Sequence, residues 1–361
     1  MNLKEGIRIT LAIAAKDIAD AIKNRTTLSI MLGVAVMMLS AMLLPLLLVL
    51  RHTPVAVVYD PARSTLIRGL TTRSEFRLRL VDSQDELEST VAGSPELMLG
   101  IVIPAGFQQA EGSGGEIEMD GYFVHWANPG KVAELVAFFE EELGEASWQT
   151  VRINVAGHAL YPSPDLGGQP FLLAMNLTIL VLVVGLALVP HLLIEEKETH
   201  TFEALLVSPA RYSQVVAGKA LAGMFYCLCA ALVVFLLNTR WIVHWEIAAL
   251  AFLLGAAFAV AVGLLMGVVS DNPTTINLWM ALLLVLLVVP MLLVKLASAR
   301  LPALLQAILP WTPSVALAKL IGFSMAGAVP AGDIWSNAGI LAVEALVFYA
   351  LAVWRVRRSD R

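Results

Sequence analysis

The chain has 361 residues, of which 58% are hydrophobic and only 15% charged, and its formal net charge is −5. Soluble domains average about half apolar and about a quarter charged. Here the apolar excess comes in blocks of roughly 20 residues, the length that crosses a hydrocarbon core of about 30 Å. The composition therefore specifies a polytopic α-helical membrane protein and excludes the water-soluble enzyme classes.

Charge is unevenly spread. The stretch 51–169 holds 8 Lys/Arg against 17 Asp/Glu, so the remainder is net basic by 4, mostly at the two chain ends. An acidic insertion between basic ends is what a membrane protein with an external domain would carry.

In chain order, residues 1–26 read as a cytoplasmic amphipathic helix lying in the headgroup layer. Ile7, Leu11, Ile18 and Ile22 form its apolar stripe, with Lys4, Arg8, Lys16, Asp17, Asp20 and Lys23 on other faces. Residues 27–50 form a first span, longer than a signal-peptide core and carrying Pro45 as a kink. Residues 51–169 change character to a soluble α/β domain. Strands are expected at Val55–Tyr59, Phe76–Val81, Leu97–Ile103 and Ile117–Trp126. Ser83 with Glu86 makes a capping box that opens a helix over 84–92. Asn128-Pro129 opens a second helix, expected to reach about Val155 with a break near Gly144.

Five further spans are expected within 170–354, at 171–194, 218–237, 247–269, 276–294 and 337–354. The segment 301–329 holds Pro302, Pro310 and Pro313 among apolar residues. It reads as a re-entrant or broken helix, tolerated where protein or water covers its backbone. Six spans put both termini on one side. The basic residues near them, including Arg355, Arg357, Arg358 and Arg361 in the tail 355–361, make that side cytoplasmic and the α/β domain external.

Few residues offer chemistry. No G-x-x-x-x-G-K-[ST] phosphate loop occurs; Gly218-Lys219 is followed by Ala220, so the chain is expected to bind no nucleotide and to be no enzyme. Cys227 and Cys229, two apart in an apolar run, read as packing residues. The pairs His191/Glu195 and Glu196/His200 have metal-compatible spacing but point in different directions, so a solvated charged helix is the preferred reading and no metal site is expected. No G-x-S-x-G elbow marks the α/β domain. Within the spans, Asn176, Asn277 and Glu344 are the polar candidates for a substrate route; interhelical hydrogen bonding accounts for the two asparagines as well. The halves show no repeat of the kind that secondary transporters often carry.

The most informative stretch is Glu195-Glu196-Lys197-Glu198-Thr199-His200-Thr201-Phe202-Glu203-Ala204-Leu205-Leu206-Val207-Ser208-Pro209, a charged segment between two long apolar runs. It resembles the cytoplasmic E-K-E-x-x-T-x-E-x-L-L-x-S-P segment of ABC-2 type permeases, the membrane subunits of one class of ABC transporters. Lys16, Asp17 and Arg25 fit the connecting helix of that family. Ile103-Pro104-Ala105-Gly106-Phe107 is similar to the I-P-x-G-F turn of its subgroup with a large external domain. Leu309-Pro310-Trp311-Thr312-Pro313 is similar to its L-P-x-x-P element. His200 departs from the usual Gly or basic residue before Thr.

The resemblance implies a half-transporter of the plasma membrane, most often an exporter of lipids, drugs, glycans or ions. Two permeases would pair, as a homodimer or with a related chain, among membrane lipids and with no nucleic acid. Two ATPase subunits carrying ATP and Mg would bind beneath. The stretch 195–209 would be the coupling helix, with Glu195, Glu196, Lys197, Glu198, Thr201, Glu203, Ser208 and Pro209 at the ATPase interface. The alternatives are an ion-coupled secondary carrier and a membrane sensor with an external ligand-binding domain. Charge reversal at Glu196 or Glu203 discriminates, since it should matter only for a coupling helix.

Overall fold

A computed structural model describes residues 3–23, 28–29, 32–33, 36, 53–62, 76–94, 96–105, 116–162, 169–198, 212–270, 272–296 and 301–359. The expected first span, 27–50, lies almost wholly outside them. The chain divides into two compact units, one of 46–172 with 325–328, the other holding the remaining residues.

The first unit is a mixed sheet covered by helices. Its strands are β1 (Val55–Tyr59), β2 (Arg77–Val81), β3 (Leu99–Val102), β4 (Glu116–Val124), β5 (Thr150–Asn154) and β6 (Ala159–Leu160). They run in the order β2-β1-β3-β4-β5, with β6 paired to the far end of β4. β1 is parallel to β2 and β3, β4 is antiparallel to β3, and β5 is parallel to β4. Parallel neighbours need crossovers. Helix α2 (Gln84–Ala92) carries the chain from β2 to β3, and α3 (Pro129–Ser147) carries it from β4 to β5.

Each helix starts where its sequence says it should. The Ser83 hydroxyl accepts the Glu86 N–H at 3.1 Å, and the Glu86 carboxylate accepts the Asp82 N–H at 3.1 Å. The Asn128 side chain accepts the Gly130 N–H, with Pro129 in the first turn.

The sheet buries both faces. On one, Phe139 and Leu143 of α3 meet Phe76, Ile101, Met119, Val151 and Ile153. On the other, Leu87 and Val91 of α2 meet Val57, Val81 and Val124. The expected continuation of α3 to Val155 is corrected. The helix ends at Ser147, where Trp148 takes a left-handed conformation (φ 57°) and the Gln149 N–H returns to the Gly144 carbonyl at 3.3 Å. Val151 and Ile153 then alternate with exposed Arg152 and Asn154, a period of two that pairs with β4. The expected helix to Val155 covers strand β5, which is why that strand is not legible in the sequence pattern.

The second unit is all helical: α1 (Leu3–Lys23), α4 (Gln169–Glu198), α5 (Tyr212–Leu237), α6 (Trp245–Val269), α7 (Pro273–Leu296), α8 (Ala303–Ile308), α9 (Pro313–Met325) and α10 (Ala331–Ser359). Among the described residues, five segments are long and apolar enough to cross a membrane: Pro170–Ile194, Gln214–Leu237, Trp245–Val269, Pro273–Lys295 and Ala331–Arg358. The proline-rich stretch forms two helical pieces, Ala303–Trp311 and Pro313–Met325, bent by 70°. Pro313 removes a backbone donor at the break.

Helix α6 is the hub. It packs most extensively on α10 and also on α5. It meets α4 where Gly185 lies against Ala259, and a Cβ on Gly263 would collide with the Gly185 carbonyl, so only hydrogen fits between the two backbones. The outer helices are less covered. Leu278, Leu282, Val285, Leu286 and Val289 of α7, and Val343, Leu346 and Val347 of α10, remain exposed, an apolar surface suited to lipid or to another chain.

Candidate functional site

The charged stretch singled out in the sequence begins inside α4. Glu195, Glu196, Lys197 and Glu198 form its last turn, continuous with the apolar helix before them. Their side chains, and residues Thr201, Glu203, Ser208 and Pro209, lie outside the described set, as does His200. A 30-residue α4 with Pro190 in its interior thus joins the apolar run and the charged end in one continuous helix.

The next described helix, α5, is tied to α1. Lys219 Nζ lies 3.3 Å from Asp17 Oδ2, with side-chain exposures of 1% and 5%. About two turns further along α5, the Tyr226 hydroxyl donates to the Ile18 carbonyl at 2.5 Å. Gly218 leaves room for α1: a Cβ there would come within 2.6 Å of Ile13 Cγ2 and 3.2 Å of the Thr10 carbonyl. Ile18 also packs into the cluster of Leu188 and Leu192 from α4 with Tyr226 from α5. Helix α1 therefore touches both helices that flank the charged segment.

Helix α1 presents two faces, one against the protein and one away from it. The buried positions include Ile13, Ala14 and Asp17, whereas Ile7 and Leu11 of the anticipated stripe are exposed. The face against the protein carries Ile13 and Ala14 with one charge that Lys219 matches, and Ile7 and Leu11 are left on the side that a headgroup layer would cover. Sequence reasoning placed Asp17 in the connecting-helix resemblance and Lys219 in a failed phosphate-loop match, and did not pair them. The signal was present, because Lys219 sits in an apolar helix where an ionisable group needs a partner. Removing one member of a buried ion pair costs about 3–5 kcal/mol, because the charge left behind is shielded from water.

The three candidates for a substrate route are on separate helices. Asn176 of α4 and Asn277 of α7 are exposed on the chain, and Glu344 of α10 is partly buried. Among the described residues, no hydrogen bond joins any two of them, and Glu344 Oε2 is buried without a partner.

In the α/β unit, two aromatic–imidazole stacks lie along β4 and β6. Tyr122 stacks on His158 and His125 on Tyr161, each with ring centres 4.8 Å apart. The Gln84 amide donates to the Tyr122 hydroxyl at 2.9 Å. Burial, then the nearby Glu88 and Asp120 carboxylates, push the Tyr122 phenol above its ordinary value, so it stays protonated and able to donate.

Residues 25–354 match the family described as ABC-2 family transporter protein. That is most of the chain, and the protein belongs to this family: it is a multi-pass membrane protein and the membrane subunit of an ABC transporter, a class that works with an ABC ATPase subunit. No curated protein matches the chain.

Proposed function

We propose that the chain is one half of an ATP-driven exporter. Two permeases pair, as a homodimer or with a related permease, and two ATPase subunits supply ATP, Mg and the phosphate chemistry. The membrane is the plasma membrane, crossed six times, with 27–50 as the first span. Both termini are cytoplasmic and the α/β unit is external, in keeping with the basic ends and the acidic insertion of the sequence.

The observation that carries the reading is the continuity of α4. Its apolar run passes without interruption into Glu195–Glu198, at the start of the segment that resembles a coupling helix. In this reading Glu195–Pro209 docks in a groove of the ATPase, its carboxylates meeting basic groups there. Closure of the ATPase pair on ATP pushes this end, and a helix, unlike a flexible loop, passes the displacement into the membrane. Glu344, Asn176 and Asn277 present polar groups on apolar helices and line the route of a lipid, drug, glycan or ion. An acid among apolar helices is costly to keep, which marks Glu344 as a functional candidate.

The test is isolation of the chain from its own membranes in mild detergent. A stoichiometric partner carrying a G-x-x-x-x-G-K-[ST] loop is expected, and it should be lost on Glu203→Lys or Glu196→Lys. Recovery of an intact permease without any ATPase would instead favour an ion-coupled carrier or a sensor.

A further inference from the structure

The α1–α5 seam has more in it than packing requires. The amphipathic helix leaves Ile7 and Leu11 exposed on the chain, at 53% and 55%, on the side that a headgroup layer would cover. It docks through a face that includes Asp17, whose carboxylate meets Lys219 Nζ at 3.3 Å with both side chains almost fully buried. A buried ion pair is a poor way to gain stability over apolar residues of the same volume. Its distinctive property is register. An apolar seam can slip or rotate and find new contacts, whereas a slipped charge pair leaves two buried charges apart. Three further contacts fix the same register: the Tyr226 hydroxyl on the Ile18 carbonyl, Gly218 under Ile13, and Ile18 against Leu188 and Leu192.

We propose that Asp17 and Lys219 are positioning residues of the transport cycle, whose ion pair locks α1 to the base of α5. Through Ile18, α1 also bears on α4, so it braces the two helices on either side of the charged segment. The three then move as one lever when the ATPase displaces that segment. The lock itself follows from the geometry of this chain; its mechanical role rests on the half-transporter reading.

The experiment uses the full chain, purified with its ATPase subunit. Cys227 and Cys229 are replaced by alanine, and spin labels are placed at Ile7→Cys on α1 and Leu232→Cys on α5, both exposed positions. Distances are measured without nucleotide and with ATP and vanadate. A single narrow distribution, unchanged between the two states, is expected for the parent chain. Lys219→Met and Asp17→Asn should shift the docked-to-undocked ratio of α1 by about 100-fold or more and broaden the distribution. They should also lower permease-dependent ATP turnover.

The charge swap Asp17→Lys with Lys219→Asp should narrow the distribution again and restore turnover, which a loss of folding would not do. The apolar pair Asp17→Leu with Lys219→Met guards against misfolding of the single variants: it should fold, yet show a broadened or nucleotide-dependent distance. The proposal is overturned if the apolar pair behaves as the parent chain, or if folded single variants keep the narrow distribution. Should no ATPase assemble, the distances in the chain alone still decide whether the lock exists, while the half-transporter reading falls.

Discussion

The helical unit and the α/β unit each hold a base against an acid, and the two pairs invert the usual expectation from distance. On the sheet edge, Arg152 Nε lies 2.6 Å from Glu116 Oε1, but the side chains are 73% and 57% exposed. In the helical unit, Lys219 and Asp17 are further apart at 3.3 Å, but almost no water reaches them. Water screens the shorter pair and solvates either partner if the other is lost. The longer pair is shielded from that solvation. Burial, more than separation, decides which of them the fold depends on.

The two units also differ in how they use small residues and caps. The helical unit brings backbones together at Gly185 and Gly263, where there is no apolar advantage over lipid and close packing must hold helices together. The α/β unit places its precision at element ends, in Ser83, Asn128 and the turn at Trp148. It also shields its edge: the Glu140 carboxylate accepts the Ile153 N–H of strand β5 at 2.8 Å, taking up a donor that an edge strand would otherwise present.

The sharpest way to break the contrast is Lys219→Met. It should destabilise the helical unit by about 3–5 kcal/mol, read as a lowered unfolding midpoint in detergent, with the charge swap recovering most of the loss. A midpoint unchanged by Lys219→Met would mean that Asp17 finds water in the native state. Next comes Gly263→Val, which forces a side chain into the α4–α6 crossing and should cost about 1–3 kcal/mol or more. The yield of monodisperse protein reports it, and a normal yield would show that the two helices can part there.

In the α/β unit, Ser83→Ala removes the cap of α2 and should cost about 1 kcal/mol. Hydrogen exchange in the full chain should speed up locally over residues 84–92; unchanged protection there would rule out the cap's contribution. The smallest effect is expected from Glu116→Gln, within about 1 kcal/mol and weakening further as salt rises. A loss as large as that of Lys219→Met would overturn the ranking by burial.

The sequence by itself determined the class of the protein, because apolar blocks of membrane length and turn or cap residues act locally. Four later spans, the helix opened by Ser83 and the strand at Val55–Tyr59 lie close to where hydropathy, capping and alternation put them. The last span extends further at both ends than its apolar core. The motif from Glu195 to Pro209 pointed to the family that the match over 25–354 establishes.

Tertiary structure alone decided which face of α1 is buried, that Asp17 and Lys219 meet across 202 residues of chain, and that Val151 and Ile153 leave a helical signal to join a sheet. In each case the deciding partner is remote in sequence. An amphipathic pattern states that a helix has an apolar side; it does not state what an opposite charge elsewhere in the fold will offer the other side.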